Sequence, residues 1–206
     1  EFRRVLFRSG SGKTRVLTRR IAYLMSRKNV SPYQVLAITF TNKAAGEMKE
    51  RVADLVGPVA KSMWVSTFHS ACVRILRTEA VRLGYSNNFT IYDSADSLRL
   101  VTIVCRDLNL DPKRYPPKQM QAMISNAKNE LLGPMDYLNS TTNQFQQVVA
   151  DVYALYQKRL TQANSMDFDD LILKTVEVLQ RFPESKAKLR SRFRHILVDE
   201  YQDTNH

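Results

Sequence analysis

Cross-linking chemistry is nearly absent from this chain. Its two cysteines, Cys72 and Cys105, offer neither a disulfide framework nor the paired spacing of a zinc site, and both are expected to be buried apolar fillers. So sparing a use of cysteine suits a reducing, cytoplasmic compartment. No apolar run reaches the ~18 residues that a membrane span needs, so no membrane association is expected. Internal repeats and low-complexity tracts are missing too. Acidic residues are in deficit: 20 Asp and Glu face 31 Lys and Arg, for a net charge of +11. That excess points to a polyanionic partner such as nucleic acid, although a basic surface serving only solubility has the same composition. With 206 residues and 44% hydrophobic content, the chain can bury a real core in one large domain, or in one domain carrying an insertion.

One further absence concerns a motif. Gly10-Ser11-Gly12-Lys13-Thr14 matches the end of the phosphate-binding pattern G-x-x-x-x-G-K-[ST], yet Phe7 stands where the first glycine belongs. Phenylalanine does not share the backbone freedom that glycine brings to a tight turn. Residues 1–9 also lack the apolar strand that should precede such a loop. One codon series for them reproduces the end of a common sequencing-library adapter. The segment is therefore expected to be translated adapter, with the gene beginning near Gly10, and it carries no information about the fold. Its three arginines and one glutamate take +2 from the total of +11, and the rest of the chain keeps a charge of +9.

What is present is an alternation of elements. Val16, Leu17, Ile21 and Leu24 recur at helical spacing to about Ser26. Gln34–Phe40 reads as a buried strand. Asn42 is positioned to cap a helix over 43–56, which stops before Gly57-Pro58. A short strand over 63–66 and a helix over 70–83, ended by Gly84, follow. This rhythm predicts an α/β domain with a parallel sheet. From about Ala95 to Ala163 the pattern turns helical, with stripes at Leu98, Val101, Val104, Leu108 and at Phe145, Val148, Val152, Leu155, Tyr156. A helical subdomain inserted into the α/β domain is expected, with boundaries giving 10–90, 91–164 and 165–206. A last helix over 168–180 is capped by Asp167, with Asp170 three residues on, and the strand 195–198 returns the chain to the sheet.

Two motifs carry chemistry. Gly10, Ser11 and Gly12 would offer backbone amides to phosphates at a helix N-terminus, Lys13 would reach the β and γ oxygens, and the Thr14 hydroxyl would ligate Mg²⁺. Ile196-Leu197-Val198 runs into Asp199 and Glu200. Open α/β sheets place ligands at such strand ends. There Asp199 would hold Mg²⁺ and Glu200 would orient and deprotonate the attacking water. A chance Gly-Ser-Gly turn and an ordinary solvated strand end explain either motif alone. Both together, in this order, indicate an ATP-driven enzyme.

Two further strand ends, Thr39-Phe40-Thr41-Asn42-Lys43 and Thr67-Phe68-His69, mix hydroxyl, amide, cation and aromatic groups that suit a nucleic-acid backbone and a base stack. For Phe40 and Phe68 singly, core packing explains as much, and an isolated His69 is more often structural. Met166-Asp167-Phe168-Asp169-Asp170 offers clustered carboxylates, and a second metal site is conceivable there. Helix capping accounts for Asp167 and Asp170 without one.

The stretches GSGKTRVLTRRIAYL, VLAITFTNKAAGEMKERV, WVSTFHSACVRILR, MDFDDLI and ILVDEYQDTN resemble the UvrD/PcrA/Rep group of superfamily-one DNA helicases, PcrA-type sequences in particular. The resemblance covers the chain from Gly10 onward. It implies a RecA-like P-loop NTPase subdomain (1A) with an inserted all-helical subdomain (1B). It also implies ATP and Mg²⁺ as cofactors, with single-stranded DNA and duplex junctions as partners. The activity implied is 3′-to-5′ translocation that unwinds duplex. In that family Arg15 would lie beside the nucleotide, and Thr39, Phe40, Asn42, Lys43, Thr67, Phe68 and His69 would line the DNA track. The adenine-reading glutamine motif, the later motifs and the second RecA-like domain with its arginines have no counterpart here, so these 206 residues are expected to hydrolyse little ATP by themselves. Two alternatives stand beside this one: the motor part of a helicase–nuclease subunit of the AddA or RecB type, and a non-motor DNA- or protein-binding module with a vestigial nucleotide site.

Overall fold

A computed structural model of the chain describes residues 13–201, with side chains from residue 14 onward. Gly10, Ser11, Gly12 and the Lys13 side chain lie outside the described residues. The chain divides into two compact units. One comprises residues up to Ala71 together with Pro183 onward, and the other is the continuous stretch Cys72–Phe182. The helical segment expected over 91–164 falls wholly within the second.

The first unit is a mixed α/β layer built on a parallel sheet. Helix α1 (Lys13–Arg27) buries Ile21, Ala22 and Leu24. Strand β1 (Val35–Thr39) is the middle strand, with four of its five residues buried. Strand β2 (Trp64–Thr67) pairs on one side and β5 (His195–Val198) on the other, both parallel to β1. Parallel strands need crossovers, and helix α2 (Asn42–Val56) makes the β1–β2 connection, burying Ala45, Met48 and Val52. Thr41, one residue before the expected cap, caps α2 by accepting a 3.1 Å hydrogen bond from the Ala44 amide, and Asn42 is already helical. The β5 strand departs from the expected buried type. It is half-buried, and Ile196 is 47% exposed, because β5 is an edge strand among the described residues.

The second unit is mainly helical. It starts within α3 (Phe68–Glu79), which runs into a 3-10 turn ended by Gly84 in the left-handed region, φ 85°. Helices α4 (Ser94–Asp107), α5 (Pro117–Asn129), α6 (Pro134–Ser140) and α7 (Gln144–Gln162) follow. Asp93 caps α4 through the Ala95 and Asp96 amides, and Asn143 caps α7 through the Gln146 amide. Pro117 and Pro134 sit at first helical positions, where their missing amide costs nothing. Val101, Val104, Met120, Ile124, Val152, Tyr153 and Tyr156 form the core of this bundle. Strands β3 (Thr90–Tyr92) and β4 (Ser165–Asp167) form a second, two-stranded parallel sheet, and α8 (Phe168–Arg181) follows directly. Helix α9 (Pro183–Arg192) then belongs to the first unit and leads into β5.

Candidate functional site

The three strands of the first unit end side by side. Thr39 of β1 is in register with Thr67 of β2, and Ile38 with Val198 of β5. The segments that follow, from Phe40, from Phe68 and from Asp199, therefore leave one edge of one sheet, the carboxyl edge. The Asp199 amide extends the ladder by donating to the Ile38 carbonyl at 2.8 Å. The chain then turns at Glu200, whose φ of 50° is left-handed. A non-glycine residue there is uncommon, and such strain is found preferentially where function demands it.

Helix α1 delivers Thr14 to this edge. The Thr14 hydroxyl donates to Asp199 Oδ2 at 3.1 Å, across 185 residues of sequence. The other carboxylate oxygen, Oδ1, accepts from the Glu200 amide at 3.2 Å. Asp199 is 8% exposed, so its carboxylate is held in place rather than free to swing. Arg15, next to Thr14, is exposed. Hydroxyl and carboxylate oxygens so gathered are the donors that a hard cation prefers. Among the described residues no group of three or more His, Cys, Asp or Glu could hold a metal. A cation here would need further oxygens from water or from a ligand's phosphates, which is the usual manner of Mg²⁺.

The neighbouring strand ends divide into anchored and exposed groups. The Thr39 hydroxyl is buried and donates to the Thr41 carbonyl at 3.0 Å. The Thr67 hydroxyl bonds Ser70 twice, donating to its hydroxyl at 2.9 Å and accepting its amide at 3.2 Å. Both threonines thus fix the starts of helices. Phe40 is 44% exposed and meets Phe68 edge-on, with ring centroids 5.8 Å apart. Asn42 and Lys43 are exposed, and Phe68 and His69 are half-buried. The exposed Phe40, an amide and an ammonium therefore leave the same sheet edge as the carboxylates.

The carboxylate cluster after β4 has a different environment. Asp167 caps α8 by accepting from the Asp170 amide at 2.8 Å, in a capping box with Asp170. Lys128 of α5, fully buried, lies 2.7 Å from Asp167 Oδ2 and 2.9 Å from Asp170 Oδ1. Tyr156 donates to Asp167 at 2.8 Å and Gln157 to Asp170 at 3.0 Å. Burial opposes the Lys128 charge, yet the two carboxylates outweigh it and hold the ammonium above its ordinary pKa. Burial pushes the Asp170 carboxyl up, with Lys128 opposing. The same burial raises the Tyr153 and Tyr156 phenols. The place that a second metal would take is filled by an ammonium. The sequence does carry a signal for it: Lys128 occupies an apolar-face position of α5, eight residues after Met120 and four after Ile124.

A family model of the UvrD/REP helicase N-terminal domain matches residues 5–206. The chain is 59% identical over 202 residues to the ATP-dependent DNA helicase UvrD1 of Mycobacterium tuberculosis, covering 96% of this chain and 26% of that protein. It is 53% identical over 197 residues to the ATP-dependent DNA helicase PcrA of Bacillus subtilis, covering 96% and 27%, and equally to PcrA of Staphylococcus aureus. The chain thus spans about a quarter of the length of these curated relatives. Among the described residues no helix is long and apolar enough to cross a membrane.

Proposed function

The chain belongs to the UvrD/REP helicase N-terminal domain family, and from that premise we propose that it is the nucleotide-binding part of a cytoplasmic ATP-dependent DNA helicase. In this reading the first unit is a RecA-like P-loop subdomain (1A) and the helical stretch 91–164 an inserted subdomain (1B). The intact motor moves 3′ to 5′ on single-stranded DNA and parts the duplex at junctions. The observation that carries the reading is the Thr14–Asp199 hydrogen bond, which joins the helix after the glycine-rich stretch to the strand that ends in two acids.

Gly10, Ser11 and Gly12 present amides to the phosphates, Lys13 supplies a cation to the β and γ oxygens, and Arg15 lies beside the nucleotide. Thr14 and Asp199 hold the metal. Mg²⁺, when bound, offsets the charge on the phosphate oxygens. Glu200 orients the attacking water and accepts its proton. Asp199 positions Glu200 by accepting its amide. On the same edge Phe40 and Phe68 offer faces to unpaired bases, and Asn42 and Lys43 reach the backbone. Thr39, Thr67 and His69 complete that track, with the two threonines acting through the helix starts they anchor.

Equilibrium binding of a fluorescent ATP analogue tests this directly. Wild-type chain binds it more tightly with Mg²⁺ than with chelator, whereas Lys13→Ala removes most of the affinity. Unchanged binding by Lys13→Ala would contradict the reading and favour a vestigial nucleotide site.

A further inference from the structure

The segment that leads into β5, and so to the sheet edge opposite the candidate site, carries the chain's densest positive charge. Five of the nine residues 186–194 are cationic: Lys186, Lys188, Arg190, Arg192 and Arg194. All five are exposed, and Glu184 is the one acid of the segment 183–194. Arg192 and Arg194 stand at the amino end of β5, the strand whose carboxyl end holds Asp199, and Lys186, Lys188 and Arg190 lie on α9, the helix that leads into it. The register fixes what lies nearby. His195 pairs with Val35 and Trp64 with Leu36, so the segments that enter β1 and β2 reach the same edge. They bring exposed Arg27 and Lys28 from the end of α1, Lys61 from the turn before β2, and Tyr33, 61% exposed. Arg192 ties the two sides together, its guanidinium 5.1 Å from the ring centroids of both Trp64 and Phe193.

We propose that this edge is a second nucleic-acid surface, one that holds the phosphodiester backbone without reading sequence. A single anion would need one or two of these cations, whereas eight, spread over three segments, match a repeating polyanion. An acidic protein helix would dock through an apolar stripe rimmed by charge. Helix α9 has no such stripe, since Ala187 and Leu189 are its only apolar side chains besides Pro183. Recognition here is by charge, which is how proteins position a phosphate backbone. The surface does not depend on the nucleotide site, and it places DNA contacts on both edges of one sheet.

The test uses the whole chain and a fluorescein-labelled duplex of about 20 base pairs, with the matching single strand as a second probe. Anisotropy is followed between about 50 and 200 mM salt. The variant Lys186→Gln/Arg190→Gln/Arg194→Gln is expected to lower the salt slope by about 2–3, near 0.9 per lost phosphate contact on duplex and 0.7 on single strand. Affinity should fall roughly tenfold or more, and the loss should persist when Phe40→Ala/Lys43→Ala removes the opposite edge. The charge-preserving Lys186→Arg/Arg190→Lys/Arg194→Lys keeps the wild-type slope, and Lys186→Gln alone lowers it by about 0.9, which separates lost contacts from lost fold. An unchanged slope in the triple glutamine variant would overturn the proposal. So would displacement of the duplex by polyglutamate at equal charge concentration, which would assign the edge to an acidic protein.

Discussion

Two pairs of carboxylates, each placed where a short parallel strand ends, meet opposite fates in this protein. At the end of β4, Asp167 and Asp170 close on a lysine of their own chain, with a tyrosine and a glutamine donating further bonds. After β5, Asp199 meets a threonine hydroxyl and a backbone amide, and the chain turns away at a strained residue. The first arrangement supplies its own counter-charge from within the chain. The second gathers oxygen donors at a sheet edge, as a site for a cation and its phosphates must. Two acids at the end of a short strand thus close on a buried cation in one unit and stay at an open sheet edge in the other. The partner brought in from a distance decides which.

Replacing the counter-charge is the severest way to break the comparison. Lys128→Met leaves two buried carboxylates uncompensated and is expected to cost about 3–5 kcal/mol, read as a lowered urea midpoint for unfolding. The sign with pH follows from Lys128. Its folded pKa lies above the ordinary 10.5, so the stability it brings is complete below that value and is lost as pH rises through the folded one. The gap between wild type and Lys128→Met should hold from neutral pH to about 9 and narrow above about 10.5. A gap that widened with alkali would contradict a charged Lys128.

The same substitution made in both clusters sharpens the contrast. Asp170→Asn should cost about 2–4 kcal/mol of stability, since Lys128 loses a partner where water cannot replace it. Asp199→Asn should cost less than about 1 kcal/mol while abolishing the effect of Mg²⁺ on nucleotide binding. Glu200→Gln is expected to leave binding intact and to slow ATP turnover by about 10²–10⁴-fold in the longer protein that this chain resembles. Phe40→Ala should weaken single-stranded DNA binding by about 1 kcal/mol, the low end for a stacking aromatic, because Phe40 is only 44% exposed and already meets Phe68 edge-on. The smallest effect separates two neighbours: Thr41→Ala loses the cap of α2, about 1 kcal/mol, and Asn42→Ala loses little.

Local pattern made much of this legible. The Asp167–Asp170 capping box, the helical stripes of the second unit and the strand 195–198 could be read from spacing, since each signal is confined to a few residues. Long-range partners could not. Lys128 pairs with Asp167 across 39 residues, and only its place on an apolar helix face hints that it is buried. Strands β3 and β4 have three residues each, too few for an alternating pattern to emerge. Helix α9 has almost no apolar face, so periodicity gave it no mark, and the charge that hides it is what distinguishes its edge of the sheet. Edge position likewise left no trace in the apolar run of β5, although it exposes Ile196.

The account turns on whether Thr14 and Asp199 hold one Mg²⁺ against a bound triphosphate. Binding of the fluorescent ATP analogue, titrated with Mg²⁺ in wild type, Thr14→Ala and Asp199→Asn, measures this most directly. The account predicts that Mg²⁺ tightens binding in wild type and has little effect in either variant. Equal tightening in all three would place the metal elsewhere and contradict it.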